Sequence, residues 1–255
     1  MIQRVCRFEA GGEVRWGVVE GRRVWEISPD PFGPFEKSGF DWPLSGVRLL
    51  APCEPSKIVA VGLNYRDHAR EFGTPIPDEP LLFLKPPSAV VGPGDAIRLP
   101  PRSVSKRVDY EGELAVVIGR KARNVPVARA GSYIMGYTIL NDVTARDLQK
   151  KDGQWTRCKG FDTFSPIGPW IVTGLNPSNL KIETFVNGRR GQSSHTSQLA
   201  FNVARLVSFI SRVMTLEPGD VISTGTPSGV GPLKNGDKVE VRIEGIGSLV
   251  NPVRG

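Results

Sequence analysis

The sequence predicts a mixed α+β protein in which strands dominate and helices are few and short. Most apolar runs are short and end at glycine or proline, which is typical of strands joined by turns. Only one long segment has the periodicity of an amphipathic helix. The length of 255 residues, with 39% hydrophobic and 23% charged residues, fits one large folded domain or one such domain with a small companion.

Residues 1–52 are predicted to form a small β module. The runs RVCRFEA, VRWGVVE and RRVWEI are separated by Gly11-Gly12 and by Gly21, as expected for a meander of strands. The segment APCEPSK, with Pro52 and Pro55, indicates a linker. A larger domain is therefore expected over residues 53–255.

The larger domain begins with KIVAVGLNY, a buried-strand pattern ending at Gly62, followed by RDHAREFG, a short helix closed by Gly73. LLFLK and YIMGYTILND predict further strands, and TARDLQKKDG predicts a short helix. The tail, DVISTGTP and DKVEVRIEGIGSLVNPV, returns to strand and turn.

One amphipathic helix is expected from about Ser197 to Met214. Its apolar residues recur at roughly helical spacing: Leu199, Phe201, Val203, Leu206, Ile210 and Val213. Pro218-Gly219 marks the point by which it must have ended.

Composition and charge exclude several classes of protein. The sequence has no apolar run of membrane-spanning length and no apolar leader, so a cytoplasmic protein without membrane contact is expected. Cys6, Cys53 and Cys158 are odd in number and widely spaced, which fits neither a disulfide framework nor a zinc site.

The net charge of +7 raises the alternative of nucleic-acid binding. The basic residues are scattered, however, with only short clusters such as Lys150-Lys151 and Arg189-Arg190. A contiguous basic stripe is missing from this pattern, so we expect no nucleic-acid partner. A basic surface can equally steer a small acidic substrate.

The segment VDYEGELAVVIGR contains a costly arrangement of charge. Asp109, Glu111 and Glu113 alternate at the start of an apolar strand, and alternate side chains of one strand point to the same face. Like charges this close repel unless a cation lies among them. Mg²⁺ is commonly held by carboxylates together with water. A metal site completed by a third acid would therefore explain the pattern. The alternative is a strand face exposed to water, which needs no metal.

Other polar residues fall where such a site would need them. Asp142 ends a mostly apolar strand, and Arg146 and Gln149 share a helical face just after it. Lys159 follows in a loop rich in glycine and aromatic residues.

The two histidines differ in their surroundings. His68 and Glu71 lie three residues apart on the short helix, so the carboxylate can orient the imidazole as a general base. His195, in QSSHTSQ, is expected to be a surface or helix-cap residue.

Eight motifs occur in an order that resembles the fumarylacetoacetate hydrolase superfamily. They are GLNYRDHAREFG, FLKPPSAVVGPGD, DYEGELAVVIGR, NDVTARDLQ, KGFDTFSPIGPW, VNG, TLEPGDVISTGTPSGVGPL and GIGSLVNPV. The resemblance covers essentially everything from Lys57 to the end, and the N-terminal module is similar to one found in several bacterial relatives. It implies the β-roll or sandwich fold of that catalytic domain, and a homodimer.

The resemblance also implies a ligand set and a chemistry. Glu111, Glu113 and Asp142 would bind Mg²⁺ or Mn²⁺, with Asp109 as a supporting or surface acid. Members act on 2-oxo or dicarbonyl acids by developing an enolate on an acid chelated by the metal.

The remaining site residues follow from matching positions. Lys159 would join His68 and Glu71 in catalysis, and the residues that would contact the substrate are Arg146, Gln149, Thr226 and Lys85. For Lys85, a plain surface lysine is the alternative. The loop from Thr74 to Leu81 and the region around Ser193 would shape the substrate pocket.

The reaction itself stays open at this point. Hydrolysis or isomerisation of a diacid from aromatic catabolism, of the 2-hydroxyhepta-2,4-diene-1,7-dioate or acylpyruvate type, is the first expectation, and oxaloacetate decarboxylation is the second. A metal-binding protein without turnover would keep the three acids but would not need His68 and Glu71. A polyanion binder would show salt-sensitive binding instead.

Overall fold

The computed structural model describes residues 2–255, apart from the side chain of Phe72. The strands, numbered in chain order, are β1 Arg4–Ala10, β2 Glu13–Glu20, β3 Arg23–Ile27, β4 Lys37–Pro43, β5 Arg48–Leu49, β6 Ile58–Gly62, β7 Leu81–Lys85, β8 Val90–Val91, β9 Ile97–Arg98, β10 Val108–Tyr110, β11 Gly112–Ile118, β12 Ile134–Asn141, β13 Thr144–Ala145, β14 Ser165–Val172, β15 Lys181–Val186, β16 Arg189–His195, β17 Val221–Ser223, β18 Gly231–Pro232, β19 Lys238–Ile243 and β20 Gly247–Arg254. The α-helices are α1 Arg66–Phe72, α2 Arg146–Asp152, α3 Thr156–Lys159 and α4 Val203–Val213. The expected strand-dominated α+β class is confirmed.

Three sheets organise these strands. The largest has twelve strands and runs in the order β4-β3-β2-β1-β14-β12-β11-β17-β6-β7, with β5 and β8 attached to β1 and β14. A three-stranded sheet has the order β13-β10-β18, and a five-stranded sheet has the order β16-β15-β19-β20-β9. None of the helices in residues 2–255 is long and apolar enough to cross a membrane.

Strand β11 lies at the centre of the hydrophobic core. Leu114, Val116 and Ile118 point into one apolar cluster together with the buried face of α4. Ala115 and Val117 point into a second cluster on the opposite face. Both faces of β11 are thus buried, which explains why its sequence is continuously apolar rather than alternating.

The N-terminal meander is built as expected but is joined to the main sheet. β1 pairs with β2 and also with β14, where Val5 lies opposite Ile171. Val5 and Val18 share a core cluster with Ala115 and Val117 of β11. The sheet therefore continues from the first strands into the rest of the chain, and the division at residues 52 and 53 stays a prediction.

The segment APCEPSK, predicted to be a linker, connects β5 to β6 and is largely buried. Ala51, Pro52, Cys53 and Pro55 are buried, and Cys53 belongs to the core cluster shared with β1. Burial raises the pKa of the Cys53 thiol to about 12, so this cysteine is a core residue rather than a reactive one.

The long helix begins later than its apolar spacing predicted. α4 covers Val203–Val213, whereas Leu199 and Phe201 lie in the preceding segment. Leu199 forms a β-bridge with Tyr65, and Phe201 is buried in the core without being helical. Asn202 sets the start, because its side chain accepts a hydrogen bond from the backbone N–H of Arg205 at 3.0 Å.

Replacing this cap gives a first testable prediction. Asn202→Ala should lower the free energy of unfolding by about 1 kcal/mol, the usual cost of losing an N-cap. Urea denaturation followed by circular dichroism measures the change. Asn202→Asp serves as the control, since aspartate keeps the capping oxygen and should leave stability close to the wild-type value.

The carboxylate segment is not one continuous strand. It divides into β10 in the three-stranded sheet and β11 in the main sheet, with Glu111 at the break. The backbone N–H of Glu111 donates to Oδ1 of Asn141, and its carbonyl accepts from the N–H of Asp142. The change of sheet places Glu111 beside the end of β12.

Candidate active site

Eight of the ten predicted site residues line one cavity of about 250 Å³. The full lining consists of Val61, Gly62, Leu63, His68, Thr74, Phe83, Glu111, Glu113, Asp142, Arg146, Gln149, Lys150, Trp155, Lys159 and Thr226. Glu71 and Lys85 lie outside this lining. Within the loop from Thr74 to Leu81, which was expected to shape the pocket, Thr74 lines the cavity. Ser193 is exposed and is not part of the lining.

Three carboxylates meet at the centre of the cavity. Glu111, Glu113 and Asp142 are all buried, and each offers an oxygen within 4.8 Å of the other two. The antiparallel pairing of β11 with β12 places Gly112 opposite Asn141, which brings Glu111 and Asp142 side by side. Glu113 follows two residues later on β11.

Buried cations hold two of these three acids. The Lys159 ammonium contacts Oε2 of Glu111 at 2.8 Å and Oδ2 of Asp142 at 2.6 Å, and Arg146 donates to Oε1 of Glu111. Burial alone would raise the pKa of Glu111, but Lys159 and Arg146 outweigh it and lower that pKa to about 2. Lys159 lies in the one-turn helix α3 rather than in the expected loop.

Glu113 has no such cation. Its Oε2 accepts a hydrogen bond from the Ser223 hydroxyl at 2.5 Å and from the Gly225 N–H at 2.8 Å. Burial, followed by repulsion from Asp142 and Glu111, raises the pKa of Glu113 to about 8. This part of the cavity is short of positive charge.

The donor set fits a hard divalent cation. Three carboxylates supply oxygen ligands of the kind that Mg²⁺ and Mn²⁺ prefer. The oxygens of Glu111 and Asp142 already contact cations, yet each ionised oxygen keeps a second lone pair for another partner. A divalent cation would also relieve the repulsion at Glu113.

Lys85 is neither a surface residue nor part of the cavity lining. It is 1% exposed, and its ammonium donates to Oδ1 of Asp142 at 2.6 Å and to the carbonyl of Lys159 at 2.7 Å. Burial lowers the pKa of Lys85 even though Asp142 opposes that effect. Lys85 therefore pairs with Asp142 without lining the cavity, and its bond to the carbonyl of Lys159 connects β7 to α3.

Lys85→Met should lower the free energy of unfolding of the metal-free protein by about 3 kcal/mol, because it leaves a buried carboxylate with one cation fewer. Saturating Mg²⁺ should restore part of the loss by compensating Asp142. Urea denaturation with and without Mg²⁺ measures both effects. Lys121→Met is the control, because Lys121 forms only an exposed pair with Glu217 and should change stability by less than about 1 kcal/mol.

Asp109 is a buried acid rather than a surface one. It is 0% exposed, and its two oxygens accept from Nε of Arg107 and Nε of Arg146, each at 2.9 Å. Arg146 in turn donates to Oε1 of Gln149 at 2.6 Å. Asp109 thus fixes the guanidinium that reaches Glu111.

The predicted histidine pair forms on α1, with His68 on the lining of the cavity. Nδ1 of His68 lies 3.4 Å from Oε2 of Glu71 on α1. Burial lowers the pKa of His68 below its ordinary value of 6.5, although Glu111 and Glu71 oppose the shift, so the imidazole is neutral at pH 7. The backbone N–H of Gly229 donates to Glu71, which ties α1 to the turn after β17. His195 is exposed at the end of β16, away from the cavity.

Gln192 supports the site from the region around Ser193 that was expected to shape the pocket, although Gln192 itself was not among the predicted site residues. It is fully buried, and its amide N–H groups donate to the Thr226 hydroxyl and to the carbonyl of Pro227, each at 2.8 Å. Its Oε1 accepts from the backbone N–H of Gly112 at 3.0 Å. Thr226 also donates to the carbonyl of Gly112, so Gln192 fixes the hydroxyl that lines the cavity.

An apolar wall faces the charged groups. Phe83 and Trp155 pack edge to face with ring centroids 5.1 Å apart, and the Lys159 ammonium lies 5.0 Å from the Phe83 ring. A side chain at Gly62 would collide with Trp155, since a Cβ there would lie 2.6 Å from that ring. The glycine that ends β6 therefore makes room for the wall.

The fold and the site together define a strand-dominated protein with a candidate divalent-metal centre in a cavity lined by cations. A family model described as "Fumarylacetoacetate (FAA) hydrolase C-terminal" matches residues 57–254, and one described as "Rv2993c-like, N-terminal" matches residues 3–52. The chain belongs to the fumarylacetoacetate hydrolase family, and the resemblance seen in the motifs is confirmed.

Relatives of known sequence match most of this chain. An uncharacterised protein of Archaeoglobus fulgidus is 62% identical over 213 residues, which is 84% of this chain and 84% of the relative. The rat mitochondrial protein named oxaloacetate tautomerase Fahd2a is 45% identical over 223 residues, covering 83% of this chain and 71% of that protein.

Solved structures show the same fold. A 2-hydroxyhepta-2,4-diene-1,7-dioate isomerase from Mycobacterium marinum superposes with a TM-score of 0.92 at 49% identity, covering 99% of this chain and 98% of the other. A maleylpyruvate hydrolase from Sphingobium sp. SYK-6, solved with manganese and pyruvate, gives a TM-score of 0.82 at 31% identity, with 98% of both chains covered.

Proposed function

We propose that this protein is a Mg²⁺- or Mn²⁺-dependent enzyme that hydrolyses or isomerises a 2-oxo diacid. The observation that carries the proposal is the meeting of three buried carboxylates with Lys159, Arg146 and His68 around one cavity. The metal would supply Lewis-acid polarisation of the substrate oxygens. The cavity of about 250 Å³ suits a small acid better than a nucleotide or a coenzyme.

The chain's own residues would bind and orient such an acid. Arg146 and Lys159 supply fixed cations for carboxylate and enolate oxygens, and Gln149 and Thr226 add polar groups on the same lining. These cations do not have to reorganise as negative charge develops, because Asp109 and the carboxylates already hold them.

The His68 and Glu71 pair would move the proton. A neutral imidazole can accept a proton from water in a hydrolysis or from carbon in an isomerisation. Glu71 then orients the ring and compensates its positive charge. A protein that only bound metal would have no use for this pair.

A second candidate is a reaction of oxaloacetate. The rat relative at 45% identity is named an oxaloacetate tautomerase, and conversion between keto and enol forms needs the same enolate stabilisation. Decarboxylation of oxaloacetate would use that stabilisation as well. Relatives whose structures are named for diacid isomerisation and maleylpyruvate hydrolysis support the first candidate.

A substrate panel tests the proposal. The purified protein is incubated with Mg²⁺ or Mn²⁺ and with acylpyruvates, fumarylpyruvate, 2-hydroxyhepta-2,4-diene-1,7-dioate and oxaloacetate, while the enol absorbance is followed and products are identified. Metal-dependent turnover of one diacid is expected, and the product then names the reaction. No turnover and no binding of any member of the panel would contradict the proposal.

Two further expectations accompany the proposed activity. The enzyme is expected to work in the cytoplasm. It is also expected to be a homodimer, and analytical ultracentrifugation tests this oligomeric state. Filter binding to nucleic acid at two salt concentrations tests the polyanion alternative, and it should give no salt-sensitive retention.

A further inference from the structure

A second cavity of about 830 Å³ opens between residues 99–108 and residues 232–235. It shares no lining residue with the candidate active site. The apolar part of its lining consists of Leu99, Pro100, Pro101, Val108, Pro232 and Leu233. Its volume lies within the range of small-molecule sites, at roughly 300 to 1,000 Å³.

The charged residues of this lining are all cationic. Arg102, Lys106, Arg107 and Lys234 line the cavity, and no aspartate or glutamate does. Between residues 2 and 255, neither Arg102 nor Lys106 nor Lys234 forms a salt bridge. The ligand chemistry that matches these features is an organic anion with an apolar body.

The fourth cation connects this cavity to the candidate metal centre. Nε of Arg107 donates to Oδ1 of the buried Asp109 at 2.9 Å, and Oδ2 of Asp109 accepts from Nε of Arg146 at the same distance. Arg146 then contacts Glu111. Arg107 lines the second cavity and Arg146 lines the first, so a single buried carboxylate, that of Asp109, links the two cavities through ion pairs.

We propose that this second cavity binds an organic anion and that its occupancy strengthens metal binding at Glu111. An anion beside Arg107 neutralises a positive charge near the buried acids and competes with Asp109 for that guanidinium. Asp109 then attracts Arg146 more strongly, which weakens the hold of Arg146 on Glu111. Both changes favour a divalent cation among the three carboxylates.

Anion binding is tested with 8-anilinonaphthalene-1-sulfonate in a fluorescence titration of the metal-free protein. One saturable site is expected, and the double variant Lys106→Gln with Lys234→Gln should weaken the affinity about tenfold. The uncharged N-phenyl-1-naphthylamine should bind the wild type no more tightly than the anionic dye binds the lysine variant. The control is the double variant Arg22→Gln with Lys121→Gln, which removes two positive charges from positions outside the cavity. An affinity unchanged in the lysine variant overturns the proposal.

Coupling is tested by calorimetric titration of Mg²⁺ with and without the saturating dye. The dye should lower the Kd for Mg²⁺ by a factor of about five, and Mg²⁺ should lower the Kd for the dye by the same factor. Asp109→Asn should abolish the coupling, so that neither ligand changes the Kd of the other. Equal Kd values with and without the dye overturn the coupling.

The coupling rests on the proposed metal site, but its failure is distinguishable from failure of that site. If Mg²⁺ does not bind at all, the proposed function is wrong, whereas the dye titration is read without metal and tests the second cavity directly.

Discussion

Glu113→Gln is expected to lose divalent-metal binding and, as metal-free protein at pH 8, to be more stable than the wild type. Loss of one of three anionic ligands should raise the Kd for Mg²⁺ by roughly 100-fold or more. The gain in stability arises because Glu113 has only the Ser223 hydroxyl and the Gly225 N–H as partners while two acids repel it. A glutamine carbonyl can accept both hydrogen bonds without the charge.

The pH dependence of stability follows from the raised pKa of Glu113. Its pKa is about 8 in the folded protein and 4.5 ordinarily, so the folded state binds the proton more tightly. The wild type therefore loses stability as the pH rises from about 4.5 to 8, by roughly 4 to 5 kcal/mol from this group. Glu111, whose pKa is lowered to about 2, acts in the opposite direction and only below about pH 4.5.

Asp142→Asn is the matched comparison for this prediction. It also removes a ligand, but Asp142 compensates both Lys85 and Lys159, so its loss should destabilise the metal-free protein. Thermal denaturation at pH 5 and pH 8 and calorimetric titration with Mg²⁺ measure both variants. Unchanged Mg²⁺ affinity in both would exclude the metal site, and equal stability changes would exclude the charge assignment.

The acids of the site could be predicted because their signal is local. Glu111 and Glu113 stand at alternate positions before an apolar run, and Asp142 stands at the end of another strand. Such placement is costly for acids that are removed from water, so it favours a compensating cation wherever the strand face is buried. His68 and Glu71 have a similar local signal, since a spacing of three on a short helix brings them together.

Contacts made at long range could not be predicted in the same way. Nothing near Lys85 in sequence shows that it reaches Asp142, 57 residues away. Gln192 reaches Thr226 and Gly112 only because β16 lies across from the turn after β17. Their hydrogen bonds depend on the arrangement of three sheets rather than on any pattern within one segment.

The start of α4 was missed for a different physical reason. Leu199 and Phe201 are buried and happen to continue the apolar spacing of the helix, so periodicity alone includes them. The competing signal was Asn202, a favourable N-cap residue, whose hydrogen bond to Arg205 begins the helix at Val203. Glu111 likewise continues a strand pattern although the chain changes sheets there.

The His68 and Glu71 pair favours an enzyme over a metal-binding protein without turnover. Both residues lie on α1, whose end is closed by Gly73 in the left-handed conformation with φ of 60°. Arg66 donates to the carbonyl of Leu199 at 2.8 Å, and Gly229 donates to Glu71. These contacts hold the short helix over the cavity, and they place the imidazole on its lining.

His68→Ala should lower kcat by roughly 10²- to 10⁴-fold, the usual contribution of a general acid or base, and should leave the Kd for Mg²⁺ unchanged. If the reaction is an isomerisation, the loss should fall at the lower end of this range, because Lys159, together with a divalent cation held by the three carboxylates, would stabilise much of the developing charge. Because burial lowers the pKa of His68, the acid limb of kcat/KM in the wild type should lie below pH 6.5 and should disappear in the variant. His195→Ala is the control, since it removes the other, exposed histidine and should keep the wild-type rate and pH profile. Steady-state kinetics on the substrate found in the panel, from pH 5 to 9, measures all of these quantities. A rate close to the wild-type value in His68→Ala, with the acid limb retained, would show that another group moves the proton.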